Sequence, residues 1–185
     1  MTTPLTAFLS YRRTDAADLR LLERALRLRG VRTWRDVNDV PLGGATEEEI
    51  VRAIATETDA FVLYASPRLY EADSTFIWQK ELPVADARWR ANRYPVVVLY
   101  RGTTPDQLSS RCKDLGLTDF GSVANGEWVP LRGERADDPE ARRRALREVA
   151  GRVLGTLLGR AAVSAAGVML QALRLTLPQV KAGGV

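Results

Sequence analysis

Apolar runs alternate with amphipathic stretches along most of the chain. Thr6 to Tyr11 (TAFLSY) is a short apolar run with a polar end and reads as a buried first strand. From Asp15 to Arg29, Leu19, Leu22, Leu26 and Leu28 are spaced by arginines, which predicts an amphipathic helix stopped by Gly30. Val31 to Trp34 reads as a second strand. Asp36 to Gly44 (DVNDVPLGG) is rich in turn formers and too long for a simple connector. Thr46 followed by Glu49 forms a capping box that opens a helix with Ile50, Ala53 and Ile54 inward. Ala60 to Ala65 (AFVLYA) is a third strand running into Ser66-Pro67, and Ser74 opens a helix carrying Trp78 and Glu81. Pro95 to Tyr100 (PVVVLY) is a continuous apolar run that suits a strand covered on both faces. The stretch from Arg101 to Asn125 receives no assignment. Glu127 to Leu131 reads as a short edge strand that tolerates Pro130. Asp138-Pro139 caps a long helix with Leu146, Val149, Ala150, Val153, Leu154 and Leu157 on one face. In the tail, Val163, Gly167, Leu170, Leu173 and Leu177 recur at helical spacing until Pro178.

Strands alternating with helices predict an α/β fold, a parallel sheet wrapped on both sides. Ligands of such sheets sit outside the carboxyl ends of the strands. Those ends carry Ser10, Tyr11, Arg12 and Arg13 after the first strand, Asp36 and its loop after the second, and Ser66 after the third. Glu81, on the helix that follows, is able to face the same edge.

Composition narrows the chemistry. The 185 residues allow one domain with a sizeable core and a short appendage, and 45% apolar with 27% charged residues is ordinary for a globular chain. A net charge of +4, with no aromatic-basic interleaving, gives little reason to expect nucleic acid as a partner. There is no histidine, which removes Ser-His-Asp and Cys-His catalysis and leaves no basis for expecting a metal site. Cys112 is the single cysteine; it has no activating neighbour in sequence and reads as inert. With no basic leader before the first apolar run and no stretch of roughly 20 apolar residues, the expectation is a cytoplasmic protein with no membrane partner. Arg142, Arg143 and Arg144 read as a solvated face.

Four segments in order, FLSYRRTD, GVRTWRD with its Pro/Gly-containing loop, a strand ending in Ser66-Pro67, and S-x-F-I-x-x-x-E-L at 74–82, resemble a Toll/interleukin-1 receptor (TIR) domain. The closest flavour is the enzymatic branch, found in bacterial antiphage effectors and in the animal axon-degeneration NAD hydrolase. The resemblance implies a flavodoxin-like three-layer sandwich with a five-stranded, mostly parallel sheet over residues 1–158, and a helical tail or linker over 159–185. It implies that Glu81 is catalytic and that residues 36–44 form a mobile lid and assembly surface, with Asp36, Leu42 and Gly43 among the substrate contacts. Homotypic TIR–TIR assembly through that loop follows, as does a nucleotide-sensing domain or partner reached through the tail. One departure is visible. Many members carry Trp-Cys four residues before the glutamate, whereas this chain has Phe76-Ile77 there and Trp78 three before it.

The implied reaction is cleavage of the nicotinamide–ribose bond of NAD, which is substrate and not cofactor; no cofactor is expected. Both a linear and a cyclic ADP-ribose product stay open, in a setting of antiphage defence. Arg12 or Arg13 would pair with the diphosphate, Tyr11 and Trp34 would offer stacking faces, and Ser10, Ser66 and Trp78 complete the substrate-binding set. Each has a structural alternative: Glu81 as a solvated carboxylate, Trp78 and Trp34 as core, Arg12 and Arg13 in ion pairs with Asp15 or Asp36. The competing function is a TIR scaffold that assembles without turnover. A phosphoacceptor receiver would need an acidic pair after the first strand and an Asp closing the third, and neither is present. A nucleoside-transferring enzyme on a related sheet would also use one glutamate against a ribose.

Overall fold

The computed structural model describes residues 4–34, 46–72, 76–117, 128–131 and 138–176, with backbone alone for 128–131, Arg142 and 160–176. Strands β1 (Thr6–Ser10), β2 (Arg32–Trp34), β3 (Ala60–Ala65), β4 (Val96–Arg101) and β5 (Trp128–Leu131) form one sheet in the order β2-β1-β3-β4-β5. Every pairing is parallel, with Phe8 opposite Trp34 and Phe61, and Ser10 opposite Leu63. The helices are α1 (Ala16–Arg27), α2 (Glu47–Arg52), α3 (Leu82–Asn92), α4 (Pro105–Asp114) and α5 (Pro139–Thr176).

Period-two alternation in β1 splits the core into two layers. Phe8 joins Phe61, Leu63, Val96 and Val98 beneath α2, α3 and α4. Ala7 and Leu9 join Val62, Tyr64, Val97 and Leu99 beneath Leu19, Leu22 and Leu26 of α1 and Leu146, Val149 and Val153 of α5. β3 is buried along its whole length, as its unbroken apolar run requires. Each large apolar side chain buried this way contributes about 1.5–3 kcal/mol relative to exposure.

Local signals explain most boundaries. α1 ends at Gly30, whose φ of 77° is a left-handed conformation that glycine adopts without penalty. The capping box at Thr46 and Glu49 is present, and Asp138 accepts a hydrogen bond from the Glu140 backbone N–H at 2.9 Å. α4 falls in the unassigned stretch, and a second capping box, Thr104 with Gln107, opens it ahead of Pro105. The helix after α2 differs from expectation, since Ala53–Glu57 widens into a π turn. α5 continues unbroken past residue 158, where the sequence places the start of a tail. Its 38 residues span about 57 Å. Among the described residues no helix is long and apolar enough to cross a membrane.

Candidate functional site

From β1 the chain crosses to β2 on one side and then to β3 on the other. The connections therefore diverge between the carboxyl ends of β1 and β3, the topological position at which open α/β sheets bind ligands. Ser10 closes β1 and Ser66 follows β3, so both stand at this point.

Ser10 shares the face of Phe8, and the element packed over that face there is the segment bearing Glu81. The Ser10 hydroxyl donates to Glu81 Oε2 at 2.5 Å across 71 residues of sequence. Both groups are buried, at 1% and 8% exposure. Glu81 is thus held at the rim rather than turned into bulk water. An ionised carboxylate accepting from a hydroxyl makes a charge-assisted bond, shorter and stronger than a neutral one.

The backbone around Glu81 is irregular. Ile77–Glu81 is a π turn, and the N–H of Leu82 reaches back to the carbonyl of Ile77, one residue further than in an α-helix. Pro83 accounts for the widening. In a regular helix its ring would press on the carbonyl four residues back, that of Gln79, and the wider turn relieves this. π turns of this kind recur at functional sites. Lys80 pairs with Glu47, tying the turn to the start of α2.

The remaining candidates divide. Trp78 is buried in the core layer, its indole N–H donating to the Leu69 carbonyl at 2.7 Å and its ring against Tyr70. Its donor is already used inside the protein, so its observed role is packing. Trp34 stacks on Phe8, with centroids 4.9 Å apart, and Phe8 on Phe61, an aromatic ladder across three strands in which Trp34 is only partly buried. Tyr11 packs in the opposite layer, under α1 and α5. Ser66 turns to the start of α1, donating to Asp15 Oδ2 at 2.6 Å. Arg12 is half-buried and Arg13 exposed, at the 3-10 turn Arg13–Asp15 that leads from β1 into α1. Asp36, Leu42 and Gly43, with the rest of the 36–44 loop, lie outside the described residues, as does Ser74.

Two buried carboxylates brace the rim from the α1 side: Asp15, which the sequence offered as a partner for Arg12 or Arg13, and Asp18, which it left unexplained. Asp15 takes Ser66 and also Arg68 at 2.9 Å. Asp18 takes the Tyr64 hydroxyl at 2.5 Å and Arg101, from the end of β4, at 3.1 Å. Burial, and then the Asp18 carboxylate itself, raise the Tyr64 hydroxyl far above the ordinary phenol range, so it stays a donor. Asp15 stands at the N-cap of α1 and Asp18 in its first turn, where the helix dipole favours negative charge. Strand parity was the available signal, because Tyr64 and Leu9 fall on the face that α1 covers. Among the described residues no three acidic or cysteine side chains gather to hold a metal.

An open five-stranded parallel sheet in the order β2-β1-β3-β4-β5, with helices on both faces, defines a flavodoxin-like α/β domain. The chain belongs to the TIR-domain family, whose profile matches residues 7–146. Among solved structures it is similar to the TIR domains of the activated Roq1 resistosome directly recognizing the pathogen effector XopQ. That match has 22% identity, covers 80% of this chain and 84% of that one, and has a TM-score of 0.50. At that identity the likeness concerns the fold. No curated protein matches the chain at a significant level.

Proposed function

We propose that this TIR domain cleaves the nicotinamide–ribose bond of NAD, with Glu81 as the catalytic residue and Ser10 orienting it. The observation that carries the reading is the buried Ser10–Glu81 hydrogen bond at the β1/β3 switch point.

The chemistry suits a protein without histidine. Nicotinamide leaves as a neutral ring because its nitrogen already bears positive charge in the substrate, so no general acid is required. The bond electrons leave with that nitrogen, and positive charge spreads over C1′ and O4′ as in glycoside cleavage. A carboxylate held against the ribose stabilises that charge in a water-poor pocket. Water then adds at C1′ and releases its proton; a hydroxyl or ring nitrogen of the same nucleotide in its place would give a cyclic product. Arg12 and Arg13 are the cations suited to the diphosphate, and Trp34, only partly buried, is the aromatic surface available for stacking. Self-assembly would raise turnover by letting the 36–44 loop of one copy complete the pocket of another. An effector acting in antiphage defence fits this chemistry, since NAD loss halts the host cell.

The test is NAD consumption by concentrated protein, wild type against Glu81→Ala, with crowding agent to promote assembly. The expected loss on substitution is roughly 100- to 1000-fold, equivalent to about 3–4 kcal/mol in the barrier. If neither protein consumes NAD, the domain is a scaffold that works through TIR–TIR contact alone; equal consumption by both would remove Glu81 as the catalytic residue.

A further inference from the structure

A groove of about 420 Å³ runs between α1 and α5, on the sheet face opposite Glu81. Its floor is apolar: Leu21, Ala25 and Leu28 make a stripe along α1, and Leu146 meets them from α5. Two of these are left in water, Leu21 at 39% and Leu28 at 79% exposure. Its walls are cationic. Arg24 stands on α1 and Arg29 in the turn that follows it, Arg143 and Arg147 on α5, and all four are exposed.

The positive charge is nearly uncompensated. Arg29 donates to the Ala25 carbonyl at 2.9 Å and Arg147 to the Arg143 carbonyl at 3.3 Å, neither of which carries a net charge. Arg143 pairs with Glu140 at 2.7 Å, and among the described residues that is the one carboxylate against these four guanidiniums. Exposed leucines ringed by arginine are the composition of a protein-binding surface. A groove between two helices is shaped to take a third.

Charge decides the occupant. A second copy presenting the same surface would bring eight guanidiniums together. A small phosphate-bearing ligand or a nucleic-acid backbone would satisfy the walls and leave the leucines in water. We infer that the α1/α5 groove docks an acidic helix of a partner protein, one with leucines on the buried face and glutamates or aspartates flanking them. The partner binds on the far side of the sheet from Glu81, so its site and the proposed NAD site are separate.

The probe is a synthetic amphipathic helix with leucines at i, i+3, i+4 and i+7 flanked by glutamates, beside a twin in which lysine replaces every glutamate. Binding to the full chain is read by fluorescence anisotropy at low and high salt. The glutamate peptide is expected to bind, at least about ten-fold more tightly than its lysine twin, with affinity falling as salt rises. R24E with R29E on the α1 side, R143E with R147E on α5, and L28D are each expected to weaken it about ten-fold or more. All substituted side chains are exposed, and circular dichroism checks folding; should one variant unfold, the variant on the other helix decides. Equal binding of the two peptides, or no binding of the glutamate peptide, overturns the inference. So does a change of sedimenting mass in R24E with R29E, which would mark a contact between copies. Displacement of the peptide by inorganic pyrophosphate, with L28D binding like wild type, would mark a small-anion site instead.

Discussion

Two sets of buried acids meet the same sheet rim from opposite faces, and they are held differently. On the α1 face Asp15 ends the 3-10 turn that leads into α1, and Asp18 sits in the first turn of that helix. Each takes one hydroxyl and one guanidinium, from Ser66 and Arg68 or from Tyr64 and Arg101. These contacts bolt α1 to the ends of β3 and β4. On the other face Glu81 rides on a π turn that Pro83 forces open, and the hydroxyl of Ser10 aims one of its oxygens. The contrast separates acids that join elements through guanidiniums from an acid set on an irregular turn at the end of β1. Burial alone does not distinguish them. What does is the π turn beneath Glu81, set against the Arg68 and Arg101 guanidiniums that Asp15 and Asp18 hold.

The largest effect belongs to the brace. Asp18→Ala takes from the buried Tyr64 hydroxyl its acceptor and from Arg101 the carboxylate it pairs with. Breaking a buried pair this way is expected to cost about 3–5 kcal/mol, read as a lower urea midpoint. A loss under about 1 kcal/mol would show that the α1 contacts behave like surface ion pairs.

Next comes the bond that defines the other face. Ser10→Ala removes a hydrogen bond to a charged group, worth about 1.5–3 kcal/mol. Under the proposed mechanism nicotinamide release should fall about 10- to 150-fold, mainly in kcat, while stability changes far less than in Asp18→Ala. Ser10→Thr keeps the hydroxyl and should recover part of the rate. Equal rates for Ser10→Ala and wild type would remove Ser10 from the account.

The smallest effect is on alkaline stability, and it concerns the core beneath both faces. Burial pushes the Cys112 thiol up from 9.0 to about 12, with Asp86 adding to the shift. Burial likewise raises Tyr64, Tyr94 and Tyr100 from 10.0. These folded values lie above the unfolded ones, so the unfolded chain loses protons first as pH rises. Their contribution is complete below about pH 9 and is lost progressively above it. Urea midpoints should therefore hold level from pH 7 to 9 and decline by pH 10.5, while native Cys112 resists iodoacetamide throughout that lower range. Rapid alkylation at pH 8 would contradict the burial assigned to it.

Much of this fold was legible because its signals are local. The unbroken run AFVLYA gave β3 to the residue, and the Thr46–Glu49 box gave the start of α2. α4 was missed although Thr104-Pro105-Asp106-Gln107 carries the same kind of box, because no apolar periodicity announced the helix behind it. The π turns were beyond periodicity, which assumes an even turn; Pro83 was the visible clue to one of them. The candidate site was legible in part. Glu81 and Ser10 could be placed at one edge from strand order, but their direct bond depends on which face Ser10 takes. Trp78 illustrates the limit. Its spacing from Glu81 put both on one stretch, while the carbonyl that claims its N–H belongs to Leu69, in a 3-10 turn that sequence did not reveal.

The central claim is that chemistry belongs to one face of the rim and bracing to the other. The most direct test measures nicotinamide release per folded molecule, together with urea midpoint, for Glu81→Gln and Asp15→Asn side by side. The account predicts that Glu81→Gln abolishes release at near wild-type stability, while Asp15→Asn loses stability but keeps its release once corrected for the folded fraction. Full release from Glu81→Gln, or a rate loss in folded Asp15→Asn as deep as that of Glu81→Gln, would contradict it.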